Sequence, residues 1–200
     1  MITFPDEVQA AYSRSKNIIR KTPLDHSPSL SNIIDGDVYL KLDNIQKTGS
    51  FKFRGAISKM TSLNEKQRKK GVVTASTGNH GAAVSLSMKI LGISGSIIVP
   101  ENIASNKVEN IKNLGGTVEY FGNDCLEAEQ RAQEISVTTG STYISPYNDP
   151  MIIAGQGTMG VELNEDLSNI DTVIVAVGGG GLISGIGGYL KTVQPNVEMI

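Results

Sequence analysis

Short β-rich runs alternate with longer stretches of helical spacing along this 200-residue chain, and this alternation limits the possible folds more than any other feature. Parallel strands need crossover connections, which are usually helices, so the pattern predicts an α/β fold: a parallel sheet with helices on both faces. The predicted strands are 38–42, 72–74, 96–99, 117–121, 142–144, 172–177 and 197–200. The predicted helices are 79–91, 105–114 with Ser105 as N-cap, 125–137 and 150–164.

A run of four glycines follows the buried strand predicted at 172–177 and precedes a helix start; it consists of Gly178, Gly179, Gly180 and Gly181, followed by Leu182. Without Cβ atoms the backbone can turn its N–H groups toward an anion, and a helix N-terminus adds a favourable dipole. No Gly-Lys-Ser/Thr ending of a Walker loop follows, and the glycines lack the spacing of a dinucleotide site, although Glu198 lies where a ribose-binding acid is expected. A tight turn that binds nothing needs fewer glycines, so the run predicts a phosphate site.

Lys52 lies between Phe51 and Phe53, two of the four phenylalanines in the chain. A lysine among apolar neighbours loses solvation of its ammonium form, which lowers its pKa and provides the free amine that Schiff-base chemistry needs. Arg54, a second cation nearby, is expected to act in the same direction. Taken alone, a solvated surface lysine and a packed phenylalanine pair explain the segment as well. It becomes informative only together with the glycine run.

A second strand-to-helix connection, Ser-Thr-Gly-Asn-His-Gly at 76–81, is rich in small polar residues. Hydroxyl groups and the free N–H groups of a helix N-terminus suit a carboxylate. The simpler alternative is helix capping by Ser76 or Thr77, and for His80 a local hydrogen bond. We refer to residues 76–81 as the asparagine loop, after Asn79.

Composition and charge exclude several classes of protein. A net charge of −2 offers no electrostatic reason to expect a nucleic acid or an anionic membrane surface as partner. The longest apolar run is far too short to span a bilayer, and the N-terminus lacks the pattern of a secretory signal. The single cysteine, Cys125, excludes an internal disulfide, and the two histidines and this cysteine have no metal-ligand spacing. We therefore expect a cytoplasmic protein that binds no metal through these residues.

The sequence resembles the fold-type II pyridoxal-phosphate (PLP) enzymes, and among them the threonine/serine dehydratases, which are ammonia-lyases, and the related serine racemases. Five motifs carry the resemblance, in the same order and over essentially the whole chain: Thr-Pro-Leu at 22–24, Ser-Phe-Lys-Phe-Arg-Gly at 50–55, the asparagine loop at 76–81, Ala-Gly-Gln-Gly-Thr at 154–158 and Gly-Gly-Gly-Gly-Leu at 178–182. The resemblance implies a tryptophan synthase β-like fold, PLP as cofactor, an amino-acid substrate and a homodimer or tetramer.

The resemblance also implies a role for each motif residue. Lys52 would carry the cofactor and act as the base that removes the substrate's α-proton. Phe51 would pack beside the cofactor ring, Asn79 would hydrogen-bond the ring's 3-oxygen, and the backbone of 178–182 would hold the phosphate. The substrate carboxylate would be bound by Ser76, Thr77, Asn79 and His80.

The domain organisation implied by the resemblance is a large domain, residues 1–62 and 149–200, and a small domain, residues 71–148, that swings to close the site. Enzymes of this kind are longer than this chain. Their partner for the pyridine nitrogen, and the divalent-cation site of some relatives, would lie beyond Ile200. Because residues 197–200 also read as a strand that is only starting, we expect the sequence to be truncated relative to the natural protein.

The activity implied is β-elimination from a hydroxy-amino acid such as L-threonine or L-serine, giving a 2-oxo acid and ammonia. Serine racemisation is an alternative, because it needs an acid or base on the opposite ring face and Thr77 offers a hydroxyl there; Tyr147 favours the dehydratases. A dehydratase of hydroxyectoine breakdown is a further alternative, since residues 74–81 suit it. A non-catalytic module that binds a phosphate ligand or nucleotide is the alternative from another class.

Overall fold

The chain folds into three small sheets and surrounding helices, and the computed structural model describes residues 3–200. Its helices are Phe4–Ser15 (α1), Pro28–Ile34 (α2), Lys52–Thr61 (α3), Glu65–Lys70 (α4), Asn79–Leu91 (α5), Ser105–Asn113 (α6), Cys125–Thr139 (α7), Pro150–Asp166 (α8) and Gly181–Val193 (α9). Its strands are Leu24–His26 (β1), Tyr39–Lys41 (β2), Val72–Ala75 (β3), Gly95–Val99 (β4), Thr117–Tyr120 (β5), Thr142–Tyr143 (β6), Thr172–Val173 (β7) and Glu198–Met199 (β8).

The largest sheet is four-stranded and parallel, with the strand order β5-β4-β3-β6. Because side chains alternate along a strand, neighbouring residues enter different cores. Val72 and Ile97 are buried in one cluster with Ala83 of α5, whereas Val73 and Ile98 are buried in another with Ala128 of α7. The sheet therefore has helices on both faces, which confirms the predicted α/β fold.

A second core lies around α8, which contacts α1, α3 and α9. Its buried residues include Ala154 and Leu163 of α8 and Ile186 and Leu190 of α9. Helix α3 approaches α8 backbone to backbone: a Cβ on Gly155 would lie 2.7 Å from the Cα of Gly55. Only glycine allows this separation, so the pair sets how closely the first turn of α3 lies to α8.

Charged groups buried between α3 and α8 fix the two helices to each other. The guanidinium of Arg54 donates to Asp43 at 2.7 and 2.8 Å and to Glu162 at 2.6 and 2.9 Å. Lys41 pairs with Glu162 at 2.8 Å, and the Thr22 hydroxyl donates to Asp43 at 2.8 Å. Burial alone would lower the pKa of Arg54, but its bonds to the two carboxylates outweigh burial and raise that pKa. Arg54 is therefore charged and fully paired in the interior.

Two of the sequence predictions for local structure are wrong. Ser105 is not the N-cap of α6 but its first residue; Ala104 is the N-cap and makes no side-chain hydrogen bond. The strand predicted at 172–177 covers only Thr172–Val173, and Ile174 and Val177 are 80% and 61% exposed. Beyond β7, the N–H of Val175 donates to the carbonyl of Ile200 at 2.8 Å, so pairing with the β8 segment reaches Val175 without forming a regular strand over the whole predicted range.

Candidate active site

Lys52 is the first residue of α3, and its side chain is half-buried. Its Nζ donates to the carbonyl of Pro146 at 2.7 Å and lies 5.2 Å from the centroid of the Phe51 ring. Burial lowers the pKa of the Lys52 ammonium, and a cation at a helix N-terminus is disfavoured as well. The expected direction is confirmed, but Arg54 is not the cause, because its charge is directed at Asp43 and Glu162.

A cavity of about 220 Å³ lies between the start of α3, the connection before α8 and the glycine run. It is lined by Phe51, Lys52, Pro146, Tyr147, Gln156, Ala176, Val177, Gly178, Gly179, Gly180, Gly181, Leu182 and Ile183. The lysine segment and the glycine run, predicted separately from the sequence, thus face the same space.

The glycine run forms the floor of this cavity and leads into α9. Gly180 has a φ of +79°, which favours glycine, and a Cβ on Gly179 would lie 2.5 Å from the ring of Tyr147. Side chains are thus excluded where the backbone turns into α9, whose first N–H groups have no partner within the helix. A phosphate fits these residues, because free N–H groups and the positive end of a 13-residue helix converge there.

The asparagine loop leads from β3 into α5, whose N-cap is Gly78 with no side-chain cap bond. Ser76 Oγ accepts from the N–H of Gly78 at 3.2 Å, and Asn79, the first residue of α5, is exposed. The explanation that Ser76 or Thr77 caps the helix is therefore wrong, because neither hydroxyl caps the N-terminus of α5.

The imidazole of His80 points into the protein. It is buried, and its Nε2 lies 3.0 Å from the carbonyl of Ile144. Burial lowers the pKa of His80 to about 4; the positive charge of Lys52 adds to this, and the bond to Ile144 opposes it. The ring is therefore neutral at physiological pH, and any contact of His80 with a substrate carboxylate would come from its backbone N–H.

The four residues of the asparagine loop predicted to bind substrate are absent from the cavity lining among residues 3–200. Of the four, His80 is joined to the cavity indirectly: it contacts Ile144, and two residues further on Pro146 contacts Lys52. The carboxylate-binding roles of Ser76, Thr77, Asn79 and His80 stay predictions, as do those of Phe51, Lys52 and 178–182 toward the cofactor.

Sequence reasoning missed two parts of the site. Pro146 contributes a backbone carbonyl, which any residue type can supply, so no sequence signal marks it. Gln156 lines the cavity, and its Oε1 accepts from the N–H of Gly55 at 3.2 Å, which satisfies a free N–H group in the first turn of α3. The only signal for Gln156 was the motif at 154–158.

Within residues 3–200 no helix is both long and apolar enough to cross a bilayer. The same residues contain no group of three or more His, Cys, Asp or Glu side chains placed to hold a metal ion.

The sequence matches the family model described as pyridoxal-phosphate dependent enzyme over residues 16–200. The chain is 45% identical over 200 residues to an L-threonine ammonia-lyase of Thermotoga maritima, covering 100% of this chain and 50% of that protein. It is 44% identical over 195 residues to a catabolic L-threonine dehydratase of Staphylococcus aureus, covering 97% and 56%. The chain thus spans about half the length of these curated relatives.

Two solved structures share the architecture. The structure of maize serine racemase matches with a TM-score of 0.94 at 36% identity, covering 100% of this chain and 60% of that one. The processed form of threonine deaminase isoform 2 from Solanum lycopersicum matches with a TM-score of 0.91 at 35% identity, covering 97% and 55%.

Proposed function

Because the chain belongs to the family of pyridoxal-phosphate dependent enzymes, we propose that the protein converts a hydroxy-amino acid of the L-threonine or L-serine type to a 2-oxo acid and ammonia. The relatives from Thermotoga maritima and Staphylococcus aureus, at 45% and 44% identity, support this substrate class. The observation that carries the proposal is that a lysine of lowered pKa and a glycine run at a helix N-terminus line one cavity.

The chain's own residues fit the two ends of the cofactor. The backbone N–H groups of 178–182 would bind its phosphate, Lys52 would hold it covalently, Phe51 would pack beside its ring, and Asn79 would donate to the ring's 3-oxygen. When bound, the cofactor supplies an electron sink for the bond that breaks at the substrate's α-carbon. Because burial lowers the pKa of Lys52, a neutral Nζ can take up the α-proton.

The substrate carboxylate would lie at the N-terminus of α5, where the asparagine loop leaves its hydroxyls free of helix capping. Ser76, Thr77 and Asn79 would donate from their side chains, and His80 from its backbone N–H, with the dipole of the 13-residue helix adding to the attraction. A substrate held by its carboxylate would present its α-carbon in a fixed orientation to Lys52.

The test compares turnover of the full-length protein and two variants with L-threonine and L-serine, following the 2-oxo acid and ammonia. Lys52→Ala is expected to abolish turnover, because the proton acceptor is removed. The control Lys66→Ala alters an exposed lysine of α4 and is expected to keep wild-type turnover. Ammonia release by Lys52→Ala at the wild-type rate would refute the role of Lys52.

Serine racemisation is the second candidate, supported by the likeness to maize serine racemase and by the hydroxyl of Thr77, which does not cap α5. If Thr77 serves as the second acid or base, Thr77→Ser keeps racemisation and Thr77→Val loses it. In Thr77→Val, the rate of 2-oxo acid formation should fall by no more than the rate of racemisation. Chiral analysis of serine incubated with the three proteins measures this directly. No D-serine from the wild-type protein would dismiss racemisation.

We also propose that residues 71–148 form a small domain beside a large domain of residues 1–62 and 149–200. The four strands β3 to β6 all lie within 71–148, in support of this division. Limited proteolysis should cut first near residues 63–70 or 149; a first cut inside β3 to β6 would argue against it.

For the whole protein we propose a cytoplasmic homo-oligomer, a dimer or tetramer, with a small-molecule substrate and no nucleic-acid or membrane partner. The net charge of −2 supports the absence of polyanionic partners. Light scattering after size-exclusion chromatography measures the oligomeric state, and a monomer would overturn the proposed homo-oligomer.

A further inference from the structure

Residues 144–147, here called the proline segment, contact all three predicted functional stretches. The Ile144 carbonyl accepts from His80 Nε2 at 3.0 Å and from Thr74 Oγ1 at 2.7 Å. The Pro146 carbonyl accepts from Lys52 Nζ at 2.7 Å. At its end, Tyr147 packs over the glycine run, so closely that a Cβ on Gly179 would overlap the tyrosine ring. The position of Lys52 thus depends on how this segment is held.

The imidazole of His80 is a fixed donor to this segment. A carbonyl oxygen only accepts, so the Nε2 that faces Ile144 carries the proton. Burial keeps the ring neutral, and within residues 3–200 the bond to Ile144 is the one side-chain hydrogen bond of His80. Asp149, which follows the segment, is paired with Lys59 at 2.6 Å.

We propose that His80 is a positioning residue: by donating to the Ile144 carbonyl it fixes the proline segment, and through it the Pro146 carbonyl on which the Lys52 amine rests. The inference deepens the proposed function, because it rests on Lys52 being the reactive amine. It assigns the imidazole a task in the free protein, before any substrate is present.

Loss of this donor should loosen the segment without unfolding the sheet. Ile144 keeps the bond from Thr74, and its N–H still donates to the Val73 carbonyl at 2.9 Å. A looser segment admits water to Lys52; the water replaces the Pro146 carbonyl as acceptor and also restores solvation of the ammonium, so the pKa of Lys52 rises toward its ordinary value. If the imidazole instead served only to bind a substrate carboxylate, Lys52 in the free protein would be unaffected.

The test measures the acetylation rate of Lys52 against pH by peptide mass spectrometry, using the full-length protein freed of cofactor with hydroxylamine. The exposed Lys66 is the internal reference in every digest. His80→Phe keeps a ring but no donor. It is expected to raise the midpoint of the Lys52 acetylation profile by about half a pH unit, which makes acetylation near neutral pH about threefold slower. His80→Gln, whose amide can donate from the same position, is expected to restore the wild-type profile.

The matched control is Ser87→Ala on the same helix, which removes a buried bond to the Ala83 carbonyl at 2.8 Å, away from the proline segment. It should leave the Lys52 midpoint unchanged. Thr74→Val removes the second donor to Ile144 and should shift the Lys52 midpoint in the same direction as His80→Phe. If His80→Phe fails to fold, the midpoint of Thr74→Val tests whether Lys52 depends on the proline segment. An unchanged midpoint in the folded variants, or equal shifts in His80→Phe and His80→Gln, would overturn the proposal. Because no substrate or cofactor takes part, these outcomes are independent of whether the protein is an ammonia-lyase.

Discussion

The buried imidazole of His80 makes the stability of the protein depend on pH. Burial lowers the pKa of His80 from 6.5 to about 4, whereas in the unfolded chain the ring is solvated and has its ordinary pKa. Between these two values the unfolded state binds a proton that the folded state does not. Stability from the neutral ring is therefore complete above pH 6.5 and is lost as the pH falls toward 4.

The difference between 6.5 and about 4 corresponds to about 3 kcal/mol when the whole range is crossed, and to about 2 kcal/mol between pH 7 and pH 5. Other groups also titrate in this range, so the quantity to measure is a difference between two proteins. Urea unfolding of the wild-type protein and of His80→Gln at several pH values supplies it. The stability advantage of the wild-type protein over the variant should shrink by about 2 kcal/mol from pH 7 to pH 5.

Two parallel stability curves would refute the reasoning, because they would mean that the ring of His80 titrates alike in the folded and unfolded states. The second histidine, His26, is exposed and common to both proteins, so its contribution cancels in the difference.

Two further substitutions test the cavity floor and the buried ion pairs. Gly179→Ala should weaken binding of pyridoxal phosphate, followed by absorbance titration, by about tenfold or more, since the added methyl overlaps the ring of Tyr147, whereas Gly178→Ala, with open space at its Cβ, should lose less; equal losses would contradict the steric account. Arg54→Met should reduce the free energy of unfolding in urea by about 3 kcal/mol by leaving its carboxylate partners without the guanidinium, while Lys69→Met, in an exposed pair, should change it by less than about 0.5 kcal/mol; similar values for both would contradict the account of the buried pairs.

The sequence predicts correctly those helix and strand limits that are set by residues adjacent in the sequence. The helix predicted at 79–91 from its helical spacing has these bounds in the structure, and it ends at Gly92, which adopts the left-handed conformation that favours glycine at a helix end. The start of α8 at Pro150 was predicted too, where the Asp149 side chain accepts from the first N–H groups. The predicted strand at 172–177 is longer than the observed β7, because a run of apolar residues does not by itself specify which of them pair.

In the active site, too, the sequence predicts what adjacent residues determine and misses what distant residues determine. Apolar neighbours of Lys52 predicted correctly that its pKa falls. The expected influence of Arg54 was wrong, because its partners Asp43 and Glu162 are 11 and 108 residues away along the chain. The Pro146 carbonyl was missed since a backbone group has no side-chain signature.

The most direct test of the account is to find which lysine carries the cofactor. The full-length protein is incubated with pyridoxal phosphate, reduced with borohydride, digested and mapped by mass spectrometry. A single labelled peptide with the pyridoxyl group on Lys52 is expected, and Gly179→Ala should lose that label at limiting cofactor. A label on another lysine, or turnover without any label on Lys52, would contradict it.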